Sequence, residues 1–193
     1  MSSNKRNPEF RKKIVKPPGL KFIKLAIHSF TLPSGTVGRW ESIYNPSPTS
    51  SVLVLGLTPE NKILLIHIFR FPVEDWVYEL PGGMVNKFET PAKAAQRELL
   101  EETGYATNQP LELLTSGYIF TGKANEFTQV FLARDCRWAK EPERDEVEKY
   151  AGLTVVKKDP RTIIGEIADG SRSYDPILNQ SILALIGKGY FQV

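Results

Sequence analysis

Residues 83–105 read GMVNKFETPAKAAQRELLEETGY, and this stretch decides the fold. It leaves the Gly82-Gly83 pair, passes Glu89, and runs through Thr90-Pro91 into an Ala- and Leu-bearing segment that ends at Gly104. Thr90 suits an N-cap and Pro91 the first helical position. Gly104 stands where a left-handed C-cap belongs. Ala92, Ala95 and Leu99 recur at helical spacing and predict a buried stripe. From Glu98, a rotation of about 100° per residue puts Glu101 about 60° to one side and Glu102 about 40° to the other. Three carboxylates therefore share a face. Like charges at these spacings cost an isolated helix a few tenths of a kcal/mol per pair, and the C-terminal dipole disfavours each anion by a further ~0.3–1 kcal/mol. A hard divalent cation such as Mg²⁺ or Mn²⁺ reverses that sign, because it prefers oxygen ligands. Arg97 is placed to pair with Glu101 at i+4.

Working outward, Ser51–Leu57 (SVLVLGL) and Lys62–Phe69 (KILLIHIF) are apolar, β-branched runs that read as core strands. Trp76–Leu80 reads as a short strand leading into the glycine turn. Upstream, Lys21–Phe30 and Thr36–Tyr44 flank the turn signal Leu32-Pro33-Ser34-Gly35 and predict a hairpin, after which Asn45-Pro46-Ser47-Pro48 breaks the chain. Residues 1–20 are basic and proline-bearing (Lys5, Arg6, Arg11, Lys12, Lys13, Lys16) and read as an extended arm. Downstream, Leu111–Ile119 and Phe127–Leu132 read as strands joined by the loop Thr121–Glu126. Trp138–Glu148 reads as a long exposed charged loop, Gly152–Val156 as a strand, and Asp159–Ala168 and Pro176–Ile186 as helices. Many strands, one central helix, more strands and then helices predict an α+β class, or an α/β/α sandwich, rather than a βαβ repeat. The expected organisation is an arm over 1–20 and one domain over 21–193, with 21–44 as its N-terminal hairpin.

Composition bounds the chemistry. The chain has 193 residues, with 25 Lys and Arg against 22 Asp and Glu. The resulting charge of +3 is too mild to argue for a nucleic-acid partner. No run approaches the roughly 20 apolar residues of a membrane span, and the polar, basic start has no secretory h-region. The lone Cys136 fits a reducing compartment, so a cytoplasmic location is expected. His28 and His67 lie in strand-like apolar stretches and read as packing residues. Acid–base chemistry then rests on carboxylates.

The segment resembles the Nudix box: Gly83, five residues, Glu89, seven residues, then Arg97-Glu98-apolar-x-Glu101-Glu102-x-Gly104-Tyr105. The resemblance implies a Nudix-type α/β/α sandwich with a mixed sheet, and hydrolysis of a nucleoside diphosphate linked to another moiety. It further implies that Glu98 and Glu102 are metal ligands, that Glu101 binds a further metal or orients water, and that the carbonyl of Gly82 completes the site. Mg²⁺ or Mn²⁺ is the expected cofactor. The metals would polarise phosphorus and generate hydroxide from water.

The likeness extends over roughly residues 30–191. Phe69-Arg70-Phe71-Pro72, Trp76 and Glu79-Leu80-Pro81-Gly82-Gly83 are similar to the ADP-ribose and nucleoside-diphosphate-sugar pyrophosphatase branch. By that likeness Arg70 contacts the diphosphate, which suits a forked, permanently charged donor. Thr121–Glu126 matches a loop that ends on an acidic substrate-binding residue, here Glu126. Glu89 is also expected at the substrate. A glutamate in the loop holding Glu141, Glu143, Asp145, Glu146 and Glu148 would orient the attacking water, and Glu146 is the choice. Related enzymes are homodimers with crossing N-terminal strands, so Arg39 and Trp40 would complete the partner subunit's site. Trp40 and Tyr44 offer faces for a nucleobase. The branch's marker proline is absent at Phe120-Thr121-Gly122, so a loop that admits several nucleoside diphosphate sugars is expected. Two other readings stand beside this one: an RNA 5′-end pyrophosphohydrolase, motivated by the basic arm, and a non-catalytic nucleotide-sensing module.

Overall fold

The computed structural model describes residues 8–19, 24–45 and 51–192. Lys5, Arg6, residues 21–23 of the first expected strand and the Pro46-Ser47-Pro48 break lie outside them. The elements run β1 (Arg11–Val15), β2 (Lys24–Thr31), β3 (Val37–Tyr44), β4 (Ser51–Leu57), β5 (Ile63–Arg70), β6 (Asp75–Glu79), β7 (Gly82–Met84), α1 (Pro91–Thr103), β8 (Tyr105–Ala106), β9 (Glu112–Tyr118), β10 (Phe127–Ala133), β11 (Arg137–Trp138), α2 (Glu146–Tyr150), β12 (Thr154–Lys158), α3 (Pro160–Asp169) and α4 (Pro176–Gly187). They fall into two compact units: Met1–Ser50 with Tyr118–Phe127, and Ser51–Gly117 with Thr128–Val193.

In the first unit β2 and β3 form the expected antiparallel hairpin, in register from Lys24–Tyr44 to Thr31–Val37. Its turn closes by Gly35 donating to the Leu32 carbonyl, with Gly35 at φ +82°. The basic stretch is not an arm throughout. Arg11–Val15 pairs antiparallel with β2 and makes the sheet three-stranded. Its charged residues hid a strand because all but Val15 are exposed. The Thr121–Glu126 loop docks on β3. The Ile43 N–H donates to the Lys123 carbonyl at 2.7 Å, the Trp40 indole to the Gly122 carbonyl at 2.9 Å, and Asn125 exchanges two hydrogen bonds of 2.6 Å with the Asn45 backbone.

The second unit is built on a mixed sheet of order β12-β5-β4-β10-β9, with β6 on β5 and β7 on β4. β4 runs parallel to β10 and antiparallel to β5 and β7. Both faces are covered, which is why SVLVLGL and ILLIHIF are nearly continuous apolar runs rather than alternating ones. Val52, Val54 and Leu64 turn to α1, against Ala94, Ala95 and Leu99. Leu55, Ile63 and Leu65 turn the other way, against Ile163, Leu178, Ile182 and Leu185 of α3 and α4. Period-two alternation thus produces an α/β/α sandwich. The stripe of α1 is built on Ala94, Ala95 and Leu99, and Ala92 lies at its margin.

One detail positions the site. β4 pairs with β5 only at Gly56–Leu64 and Leu57–Ile63. Further back along β4, the short β7 takes the place of β5, with Val52 opposite Gly83 and Leu53 opposite Gly82. A Cβ on Gly82 would stand 2.2 Å from the Val52 carbonyl oxygen, so only glycine allows this approach.

The expected loop 138–148 is partly structured. Asp145 and Glu148 form a reciprocal capping box that starts α2. The loop also closes the end of α1: Ala139 donates to the Gly104 carbonyl, Glu143 to that of Glu101, and the Arg144 Nε to that of Glu102. Carbonyls that a helix C-terminus leaves open are thereby satisfied. Gly104 sits at φ +76°, and a Cβ there would meet the Lys140 carbonyl oxygen at 2.3 Å. Gly104→Ala is therefore expected to destabilise the protein by more than about 1 kcal/mol. The check is a lower urea midpoint at unchanged m-value.

Candidate active site

The residues of 82–105 meet on one side of the sheet. α1 begins where Thr90 accepts the Lys93 N–H, and ends where Gly104 donates to the Leu100 carbonyl at 2.9 Å. Along its length Glu98 and Glu102, one turn apart, are buried, while the Glu101 side chain is 38% exposed. The burial of Glu98 depends on Gly83, where a Cβ would fall 2.3 Å from the Glu98 Oε1. Glu102 accepts the Gly82 N–H at 2.7 Å.

Arg97 holds the cluster together. Its Nη1 donates to Glu98 at 2.7 Å and to Glu101 at 2.9 Å; its Nε and Nη2 grip Glu89 at 3.1 and 3.2 Å, and Nη2 also reaches the Met84 carbonyl at 3.0 Å. The expected i+4 pair with Glu101 is present, and Glu98 and Glu89 join it. Glu89 is thus engaged by Arg97 and by the Asn86 N–H, and Arg97 holds its carboxyl below the usual range.

Burial pushes the other two carboxyls the opposite way. Glu98 is raised by desolvation, opposed by Arg97. Glu102 is pushed up to about 8 by desolvation, opposed by the Gly82 N–H and further raised by the charges of Glu98 and Glu148. Glu98 has the Arg97 guanidinium and Glu102 only the unbonded charge of Arg70, so the two buried acids leave negative potential only partly compensated. That donor set, all oxygen and partly desolvated behind a glycine, fits a hard divalent cation. Glu98 and Glu101 are engaged by Arg97, and among the described residues no three carboxylate, histidine or cysteine side chains are already gathered around one point for an ion.

Arg70, at the end of β5, is bidentate on Glu79, with Nε–Oε1 at 2.9 Å. That hydrogen bond, and the charges of Glu79, Glu102 and Asp175, hold its guanidinium protonated. Its side chain is 47% exposed, so it retains donors toward solvent. Glu146, the expected loop glutamate, opens α2 and is exposed. Glu148, two residues on, is half-buried, accepts the Asp145 N–H at 2.8 Å, and is the loop carboxylate whose charge reaches both Glu98 and Glu102. The Asp-x-x-Glu spacing of a capping box was the sequence signal that distinguishes the two. Gly82, Arg70, Glu89, Arg97, Glu98, Glu101, Glu102 and Glu146 all belong to the second unit. Arg39, Trp40 and Glu126 belong to the first, where Trp40 lines an aromatic cavity of about 640 Å³ with Phe10, His28 and Phe30.

The Glu102 carboxyl binds its proton more tightly in the folded state than its ordinary value of 4.5 allows. The associated stability is full below 4.5 and is lost as pH rises through about 8. Glu102→Gln is therefore expected to make the metal-free protein more stable than wild type at pH 8.5, on the order of a few kcal/mol. The gap should close toward pH 4.5. Urea unfolding in chelator across that range checks it, and a gap independent of pH would refute the buried, raised carboxyl.

Comparison with known proteins agrees with this geometry. Residues 47–159 match the family profile described as the NUDIX domain. An ADP-ribose pyrophosphatase of Bacillus subtilis (strain 168) is 35% identical over 157 residues, 80% of this chain and 83% of that protein. An ADP-sugar pyrophosphatase of Mus musculus is 31% identical over 93 residues, 44% of this chain and 43% of that one. The crystal structure of an ADP compounds hydrolase superposes with a TM-score of 0.75, covering 98% of this chain and all of that one at 16% identity, a likeness of fold. With the box filled at every fixed position and its carboxylates packed against the glycine turn, the chain belongs to the Nudix family and is a Nudix hydrolase.

Proposed function

We propose that this chain is a divalent-cation-dependent pyrophosphohydrolase of ADP-ribose and related nucleoside diphosphate sugars. The observation that carries the reading is the buried Glu98–Glu102 pair, set against Gly82-Gly83 and neutralised only in part by Arg97. The named activities of the Bacillus subtilis and mouse relatives support the substrate class. Glu98, Glu102 and the carbonyl of Gly82 are the groups that would hold Mg²⁺ or Mn²⁺, with Glu101 at a further ion or at water. When bound, such a cation supplies Lewis-acid chemistry, withdrawing charge from the phosphate oxygens.

The chain's own residues do the rest. Arg70, with donors left over from Glu79, binds the diphosphate. Arg97 and Glu89 position the glutamates. Glu148, held by its capping box and half-buried, with its charge felt at Glu98 and Glu102, is the group we assign to orient the attacking water and accept its proton, in place of Glu146. Water oxygen bonds to one phosphorus, the bridging P–O bond breaks, and a nucleoside monophosphate and a sugar phosphate leave. Trp40 offers an aromatic face for the base, with Arg39 and Glu126 as further substrate contacts. A homodimer in which Arg39 and Trp40 serve the partner subunit's site is part of this reading, as is a cytoplasmic location.

Three measurements test it. With Mg²⁺ present, ADP-ribose should release phosphomonoesters, and at least one NDP-hexose among ADP-glucose, GDP-mannose and UDP-glucose should be cleaved within about tenfold in kcat/KM, a gap of roughly 1.4 kcal/mol. No turnover on any of them sinks the activity. A preference for ADP-ribose beyond about a thousandfold sinks the permissive pocket. Glu148→Gln should lower kcat by about 10²-fold or more, within the range of general base catalysis, while Glu146→Gln stays near wild type. The reverse order returns the role to Glu146. Arg70→Ala should raise KM more than it lowers kcat, because the diphosphate is charged in the ground state as well as the transition state.

A further inference from the structure

A second concave site lies in the same unit, behind the segment that carries Glu148. Its volume is about 410 Å³, within the roughly 300–1,000 Å³ of small-molecule pockets. Its floor is a cross-strand aromatic pair: β8 and β11 run antiparallel with Tyr105 directly opposite Trp138. Residues so paired project to the same face. Trp138 is 59% exposed, and its indole N–H donates to no group among the described residues. Three cations come to the same cavity from three directions: Arg144 from the loop, Lys149 from α2 and Lys157 from β12. Lys157 stands 5.7 Å from the centre of the Tyr105 ring.

Positive charge is in excess there. None of Arg144, Lys149 or Lys157 is in an ion pair among the described residues. Arg144 spends two of its donors on the carbonyls of Glu102 and Leu153, at 3.2 and 2.8 Å. Lys149 and Lys157 donate no side-chain hydrogen bond within the described residues. Against the three cations the wall holds one carboxylate, Glu141. An exposed indole face beside two ammonium groups that donate no hydrogen bond is what a ligand with a planar ring and a doubly charged phosphate would meet: the ring stacks, and a phosphomonoester carries about −1.5 to −2 at pH 7.

We propose that this cavity is a second binding site for a nucleoside monophosphate, with the base on the exposed face of Trp138 and the phosphate between Lys149 and Lys157. The site is distinct from the carboxylate cluster, although Arg144, which lines it, is bonded to the Glu102 carbonyl of α1. A nucleoside monophosphate is also a product of the hydrolysis proposed above, so the test is made on binding alone and stands whether or not the protein turns over any substrate. AMP is titrated by calorimetry, in chelator, into wild type, Lys149→Gln/Lys157→Gln and Trp138→Ala. Binding elsewhere is common to all three proteins and drops out of the comparison. The glutamine pair removes both charges at exposed positions, so it remains informative if the tryptophan variant fails to fold. The expected result is one class of site in wild type that weakens at least tenfold in the lysine variant, and adenosine binding to wild type at least tenfold more weakly than AMP. Identical isotherms for wild type and the lysine variant, no AMP binding to wild type, or adenosine binding as tightly as AMP would overturn the proposal.

Discussion

The guanidinium of Arg97 is the tie on which the site depends. One planar group joins Glu89 in the loop before α1, Glu98 and Glu101 on α1, and the Met84 carbonyl at the end of β7. A lysine could supply the charge but not this geometry, because its single ammonium cannot fork to four acceptors in fixed directions. Glycine turn, loop and helix are thereby locked as one piece. The lock explains the shape of the motif: Glu89 must stand far enough ahead of α1 to reach back, and Gly83 must lack a side chain for Glu98 to lie beneath the arginine.

A second constraint follows from where the acids sit. Glu101 and Glu102 fall in the last turn of α1, the end at which the helix dipole disfavours anions, and that turn carries no basic residue of its own. Compensation comes from distant chain. Arg144 brings a positive charge to the Glu102 carbonyl, and the N–H groups of Ala139 and Glu143 close two more acceptors. The segment 139–148 is therefore not merely a solvated surface. It caps the helix, and it leads directly into α2, whose Glu148 charge is felt at both Glu98 and Glu102.

Much of this was legible in the sequence because it is local. The N-cap at Thr90, the left-handed stop at Gly104, the i+4 pair Arg97–Glu101 and the two apolar core strands are all consequences of near neighbours and of a sheet buried on both faces. What was missed needed partners far along the chain. β1 was hidden because three of its five residues are charged and only its pairing with β2 makes it a strand. β7 is three residues long and exists because β4 and β5 diverge. β8 and β11 are two residues each and define one another. The loop glutamates are a different case. The capping-box spacing was present at Asp145–Glu148, and charge density along the loop obscured the short helix that leaves Glu146 exposed and Glu148 half-buried.

Buried acid is the residual cost of this arrangement, and its distribution is informative. Arg97 compensates Glu98 directly, whereas Glu102 has a backbone N–H and the unbonded charge of Arg70, and lies under the further repulsion of Glu98 and Glu148. A fold selected only for stability would have no use for that asymmetry, since an apolar residue of similar volume at 102 would pack against Leu99 and the sheet at lower cost. The sandwich draws its cohesion from apolar layers, from Val52 and Leu64 on one face to Leu185 on the other, that contain none of these carboxylates. The stabilising part of the molecule and the part that is short of positive charge are thus separable along α1. One stripe of the helix holds the sheet, and the adjoining stripe carries its carboxylates against Arg97, with Glu102 left to the Gly82 N–H and the charge of Arg70.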